Sequence, residues 1–303
     1  MTTLTPLDLT VVIPTFNRSH ELVRALGSLV AQTDGDFEVI VCDDGSTEDI
    51  ASAIQSFLGR LRLRLIRIEN SGGPARPRNV ATQAATTRWI SYLDSDDWWC
   101  PSRMARLRTE LTDDRDIVYH ALRIERADHD SAAKPVHGAE IGEAMRNQDP
   151  IWHMIRFGNP LATSGTTVKR ELMLDIGGFD ESRELASVED FDAWLRLACT
   201  GARLHFLSEP LGAYWVGSDQ ISTFNVRQFE RQRHLFRRQL TFLPERYLAR
   251  ARSNFAYLLG IYALALGLPD AQSYFRELQL TQEPLLWLKA RAKLWRARGE
   301  GLG

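Results

Sequence analysis

The chain has 303 residues, 44% hydrophobic and 25% charged, the composition of an ordinary soluble globular protein able to bury a large core as one domain or two. The formal net charge of -2 hides an asymmetry: residues 226–303 carry 14 Lys and Arg against 6 Asp and Glu, leaving 23 against 33 in residues 1–225. An acidic body argues against broad nucleic-acid binding, and a basic tail suggests contact with an anionic surface, with solvated helix faces as the simpler account. The cysteines, Cys42, Cys100 and Cys199, are odd in number and far apart, which fits a reducing compartment. Met1 to Thr10 shows no secretory pattern, and the longest apolar stretch, Phe255 to Leu268, is too short to span a bilayer and reads as a buried helix. A cytoplasmic location, with peripheral contact to the cytoplasmic membrane, is the expectation.

Leu9 to Pro14 is an apolar, β-branched run, as expected of a strand covered on both faces. A helix is predicted from His20 to Gln32, a strand from Phe37 to Cys42, a helix from Glu48 to Leu58 and a strand from Leu63 to Ile68. Asn70 to Asn79 holds two glycines and two prolines and reads as a loop, followed by a short helix through Ala85 and a strand from Trp89 to Leu93. This alternation predicts a mostly parallel, doubly wound α/β sheet. Pro14-Thr15-Phe16-Asn17-Arg18 replaces any glycine-rich phosphate loop, so dehydrogenase and ATPase readings lose their basis. Further on, strands are predicted at Asp116–Ile124, Ser164–Val168 and Leu211–Val216, and a helix at Val188–Cys199. Beyond Phe224 the pattern is helical, punctuated by Pro244, Pro269 and Pro284. The predicted division is a domain over 1–225 and a basic helical extension over 226–303.

Two predicted strands end in carboxylates. Trp89 to Leu93 runs into Asp94-Ser95-Asp96-Asp97, and Phe37 to Cys42 into Asp43-Asp44-Gly45-Ser46. Carboxylates crowded at a strand end repel one another and call for a cation or a proton, and the carboxyl edge of an open α/β sheet is where such folds bind ligands. Solvated turns and helix caps would use the same residues.

These segments resemble the inverting glycosyltransferases of family 2, of the bacterial cell-surface polysaccharide type, which have the GT-A fold. The resemblance rests on Val11 to Asn17, Val41 to Ser46, Gly72-Gly73-Pro74 with Ala75 to Asn79, Leu93 to Asp97, Gly177-Gly178-Phe179-Asp180, and Glu189-Asp190-Phe191-Asp192, in the family's order over about residues 8–222. It implies a nucleotide-diphosphate sugar donor, a UDP-sugar first among the candidates, and a hydroxyl of a glycan or lipid-linked acceptor. It also implies Mn²⁺ or Mg²⁺, hard cations that take carboxylate oxygens. Asp96 would ligate the metal and Asp94, with Ser95, would face the ribose or the metal's waters. Asp44 would meet the base, and Pro14, Thr15, Phe16, Asn17 and Arg18 would line the nucleotide pocket. Arg76 and Arg78 would hold phosphate oxygens. Asp190 would be the catalytic base, with Asp43, Asp97, Glu189 and Trp194 as further support, Trp194 either stacking on a sugar ring or lying in the core. The family's Tyr-Arg-x-His pattern is replaced by Tyr214-Trp215-Val216-Gly217-Ser218-Asp219, so Asp219 or Ser218 would substitute, or the cation would be held more loosely.

The final stretch, Leu285 to Arg298, places Leu285, Leu288, Ala292 and Trp295 on one helical face among Lys and Arg, with Trp287 and Leu294 in a second apolar stripe. Such a helix could lie on an anionic membrane, pack on the body or form a dimer contact. The rival functions are a sugar nucleotidyltransferase, against which the absence of a glycine-rich basic loop after the first strand argues, and a non-catalytic binding module on the same fold.

Overall fold

The computed structural model describes residues 8–126, 139–217, 225–269, 271–278 and 283–299. The chain divides into two compact units, one of residues 1–148 with 159–220, the other of 149–158 with 221–303. The first unit opens with β1 (Leu9–Thr15), α1 (Ser19–Val30), β2 (Glu38–Asp43), α2 (Ile50–Ile54), β3 (Arg62–Arg67), α3 (Ala75–Ala84) and β4 (Trp89–Tyr92). It continues through β5 (Trp98–Trp99), α4 (Arg103–Arg108), β6 (Ile117–His120), β7 (Leu122–Arg126) and β8 (Glu140–Ile141). In the second unit lies α5 (Pro150–Phe157); the first resumes with β9 (Thr166–Lys169), α6 (Arg170–Asp175), α7 (Glu189–Cys199), β10 (Leu204–Leu207) and β11 (Gly212–Val216). The rest is helical: α8 (Val226–Phe242), α9 (Glu245–Ala265), α10 (Ala271–Arg276) and α11 (Pro284–Gly299).

The central sheet has seven strands in the order β10-β6-β9-β4-β1-β2-β3. Within it β9 alone runs against its neighbours β4 and β6, so the sheet is largely parallel. All seven residues of β1 are buried, the signature of a strand covered on both faces, whereas the edge strand β3 alternates outward arginines that discourage strand addition. Leu22, Leu26 and Leu29 of α1 pack with Val11, Ile13, Val39, Val41 and Trp89 in the main core. A second, four-stranded sheet has the order β5-β11-β7-β8.

Three expectations need correction. Arg76 to Asn79 is not loop but the first turns of α3, because a proline within the first turn, here Pro77, has no helical hydrogen bond to forfeit. The single strand expected at Asp116–Ile124 is two strands in different sheets, with the chain changing sheet at Ala121. Residues 149–158, which the expected 1–225 domain includes, group instead with the C-terminal helices; the helix there, α5, which sequence did not predict, starts at an Asp149 cap that accepts from Trp152 N, and Tyr247 of α9 donates to the other oxygen of Asp149 at 2.7 Å. The apolar stretch from Phe255 runs through α9, where Phe255, Ala256, Leu259 and Ala263 are buried.

Candidate active site

The parallel strands deliver β1, β2 and β4 to one carboxyl edge. At the end of β1, Asn17 takes the left-handed conformation (φ 49°), which asparagine tolerates better than most side chains. Its backbone N–H donates to Ser46 Oγ at 2.9 Å and its Oδ1 accepts from Thr47 N at 2.8 Å, pinning the β1 loop to the β2 loop. Pro14 and Thr15 are buried within β1, while Phe16 is 44% exposed at the rim. Asp43 and Asp44 are both buried. Asp43 accepts from Ser46 N at 2.9 Å and pairs with Arg67 at 3.2 Å, which makes it a brace for its own turn. Asp44 accepts from Ser71 N and Oγ at 2.9 and 2.8 Å, fastening the β2 turn to the glycine-rich segment before α3.

The β4 acidic turn divides its carboxylates by exposure. Asp94 and Asp96 each keep 27% of their side-chain surface, and each faces a guanidinium: Arg78 Nη2 lies 2.6 Å from Asp94 and Arg18 Nη1 3.0 Å from Asp96. Arg24 donates to the Asp96 carbonyl at 2.6 Å from between the rings of Trp98 and Trp215. Ser95 is buried between them. Asp97 is closed off, accepting from Ser164 Oγ at 2.5 Å and from Trp215 N at 2.9 Å. Burial raises Asp96 and, far more, Asp97 above the usual carboxylate range, and the neighbouring aspartates add to both shifts.

Arg78 does not have the phosphate-facing place expected of it. Its side chain is 4% exposed and joins Asp94 to Glu189 (2.7 Å), so both ends of the guanidinium are engaged by carboxylates. Arg76, two residues earlier, is exposed on a shallow cleft that Gly72, Gly73, Glu181 and Arg183 also line. Trp194 is fully buried, edge-on to Phe179 at 5.6 Å and beside Tyr92 at 6.2 Å; it is core and not a sugar platform. Asp219 and Ser218 lie outside the described residues.

Asp190, in the first turn of α7, retains partial solvent contact. One of its oxygens accepts from Asn159 Nδ2 and Thr163 Oγ1, both at 3.1 Å, and the other from Phe191 N at 2.7 Å. Burial, with the adjoining Glu189 charge, pushes it up to about 7 against the opposing pull of Arg78 and these hydrogen bonds. Just before it Ser187 adopts φ 78°, an unfavourable conformation for a residue with a side chain, and such outliers gather at functional sites. Two ties join the Glu189–Asp190 pair to the acidic turn. Arg78 links Asp94 to Glu189, and the turn Thr163–Gly165 sends Thr163 to Asp190 and Ser164 to Asp97.

Sequence reasoning missed Asn159, Thr163 and Ser164, ordinary residues without a local pattern. It also missed Asn79, whose amide brackets Phe179, accepting from its N–H and donating to its carbonyl at 2.8 Å each. Gly178 carries a readable trace of that contact: a Cβ there would lie 2.4 Å from Asn79 Oδ1.

The donor chemistry suits a hard divalent cation. Asp94 and Asp96 offer solvent-reaching carboxylate oxygens whose mutual repulsion a cation would relieve. Among the described residues no group of three or more His, Cys, Asp or Glu forms a ready-made cage.

The chain is 30% identical over 194 residues to an uncharacterized glycosyltransferase of Haemophilus influenzae, covering 62% of this chain and 61% of that one. It is 31% identical over 212 residues to the succinoglycan biosynthesis protein ExoU of Rhizobium meliloti, covering 67% and 60%. It thus spans about three-fifths of the length of these relatives. Among solved structures, Staphylococcus aureus TarS (residues 1–349) in complex with UDP superposes with a TM-score of 0.60 at 21% identity, over 94% of this chain and 79% of that one. A mannosyltransferase from Pyrobaculum calidifontis in complex with GDP-Man and Mn²⁺ gives 0.62 at 18% identity, over 99% and 83%. These likenesses establish the GT-A fold with a helical C-terminal region. The model of glycosyl transferase family 2 matches residues 10–175, more than half of the chain, and the chain therefore belongs to glycosyl transferase family 2.

Proposed function

We propose that the chain transfers a sugar from a nucleotide-diphosphate donor, with a UDP-sugar as first candidate, to a hydroxyl of a glycan or lipid-linked acceptor, with inversion, in cell-surface polysaccharide synthesis. The observation that carries this reading is a carboxylate poised near neutrality, Asp190, tied through Arg78–Glu189 and Thr163–Ser164 to the acidic turn of β4. TarS in complex with UDP and the mannosyltransferase in complex with GDP-Man and Mn²⁺ lend it support by analogy of fold.

In this mechanism Asp190 accepts the acceptor hydroxyl's proton as the oxygen attacks the anomeric carbon. A base whose pKa lies near working pH is both present in its ionised form and strong enough to pull. The bond from the anomeric carbon to the diphosphate breaks on the opposite face, and the diphosphate leaves with the electron pair. That single displacement inverts the centre. Phe16, exposed at the end of β1, would line the nucleotide pocket, and Arg76, also exposed, would add positive charge beside the phosphates. Mn²⁺ or Mg²⁺, held through Asp96 with Asp94 beside it, would supply Lewis-acid stabilisation of the leaving diphosphate.

Calorimetric titration of UDP with and without Mn²⁺, on wild type and Asp96→Ala, tests the donor site. Metal-dependent binding lost in the variant is the expected result. Equal UDP binding by both proteins would remove Asp96 from the metal role, and no nucleotide binding by wild type under either condition would overturn the donor assignment.

A further inference from the structure

Helix α11 presents one apolar stripe too many. Leu286 and Ala290 are buried with Ala256, Phe275 and Leu278 in a small core of the second unit, and Trp287 is half-buried against it under the guanidinium of Arg291 at 4.9 Å. That packing uses one face of the helix. Leu285, Leu288 and Trp295 remain 64%, 56% and 79% exposed, and Ala292 is exposed with them. At 3.6 residues per turn these four positions form a single stripe. Its flanks are basic: exposed Lys289 and Lys293 lie along one side and Arg291 along the other. No Asp or Glu occurs from 284 to 299.

We infer that this outer face of α11 is a docking surface for an anionic lipid bilayer, on which the helix lies flat. Charge decides the occupant. A stripe meant for the second copy of an acidic-bodied chain would also fit a basic border, but an interface helix facing its own symmetry mate would set these lysines against lysines, whereas phosphate headgroups pair with both flanks at once. Aliphatic and tryptophan side chains at the centre with lysine and arginine at the edges match the boundary between acyl chains and headgroups. A helix of 16 residues is about 24 Å long, and among the described residues no helix is long and apolar enough to cross a membrane. The inference goes beyond the transfer chemistry and stands or falls without it.

The test is co-sedimentation of the full chain with vesicles of phosphatidylcholine alone and of phosphatidylcholine mixed with phosphatidylglycerol, with sedimentation velocity of the protein in parallel. Wild type is expected to pellet with the anionic vesicles only and to be released by salt. Leu288→Glu/Trp295→Glu should abolish pelleting, and Lys289→Glu/Lys293→Glu should weaken it roughly thirtyfold or more, since each lysine near the surface contributes about fivefold. The lysine pair is fully outside the small core, so its result holds even if the first variant melts early. Equal binding to neutral vesicles, no binding by wild type, or unchanged binding by both variants would overturn the inference. So would a concentration-dependent dimer abolished by the same substitutions, which would give the face to a second copy. UDP titration of each variant should match wild type, keeping loss of docking distinct from loss of the donor site.

Discussion

Replacing Asp190 by Asn should remove transfer and stabilise the protein at once, and the second effect follows from the first's cause. A carboxyl lifted from 3.8 to about 7 costs roughly 4 kcal/mol to ionise in place, at 1.36 kcal/mol for each pH unit. The folded state holds that proton more tightly than the unfolded chain does. Stability from this group is therefore greatest below 3.8 and declines as pH rises to about 7, after which the full cost is carried. The amide introduced by Asp190→Asn is close in shape to the protonated acid and carries none of that cost. The variant should melt several degrees above wild type at pH 8.5, at about 2–4 °C for each kcal/mol in a chain of this size, and close to wild type at pH 4. The partial solvent contact of Asp190 screens the charge and brings the cost below about 4 kcal/mol.

The assay is paired: thermal melts of both proteins at the two pH values, and product formation by wild type across pH 5 to 9. Transfer by wild type should fall about tenfold for each unit below pH 7, because only the ionised base accepts the proton. UDP binding by the variant should survive, since the substitution lies outside the β1 and β2 loops that would hold the nucleotide. A melting gain of equal size at both pH values would refute the electrostatic cause, and a flat pH profile for a chemistry-limited rate would refute the assignment of Asp190 as base.

The other predictions concern what holds this site. Thr163→Val removes a hydroxyl that steadies the ionised form of Asp190, so the acid limb of the rate profile should move to higher pH while UDP affinity, measured by calorimetry, stays unchanged. His120 is fully buried and held neutral, lowered to about 3 by burial and the adjacent Arg103; stability should therefore be lost as pH falls from 6.5 towards 3, and His120→Gln should flatten that acid sensitivity in melts read against wild type. Gly178→Ala places a methyl against Asn79 at a backbone φ of 75°, and denaturant unfolding should show a loss of roughly 1–3 kcal/mol or more.

The parts of the fold and site that were legible in the sequence are those whose cause is local. A strand buried on both faces is largely apolar, so β1, β2 and β4 announce themselves, and the carboxylates at the ends of β2 and β4 sit next to the runs that place them. Asp190 was legible as a carboxylate in the first turn of a helix, but its elevated pKa was not, since that depends on Glu189, Arg78 and the density packed around it. Arg78 was misread for the same reason. Its partner Glu189 is 111 residues away, and a sequence shows a guanidinium without showing what consumes it. The split of the strand at Ala121 and the departure of α5 to the second unit are likewise decided by packing that no window of neighbouring residues contains.

Arg103 shows how far this extends behind the site. It is fully buried, and its donors are taken by His120 Nε2, Ser91 Oγ, Thr167 Oγ1 and Met104 Sδ, with no carboxylate among these partners. Its guanidinium lies 3.7 Å from the Trp99 ring centre, and the indole N–H of Trp99 donates to the Ser164 carbonyl at 2.7 Å. A buried cation without a counter-ion is costly, and burial lowers its pKa to about 9. Yet its ligands sit on β4, β6 and β9, and β9 follows directly on the turn that holds Asp97 and Asp190. The guanidinium, with donors in a rigid planar fork, spans three strands from one point, which neither lysine nor an apolar side chain can do. The arrangement gives up stability to fix the position of the Thr163–Gly165 turn, and with it the separation between Asp190, the proposed base, and the acidic edge where the donor would sit.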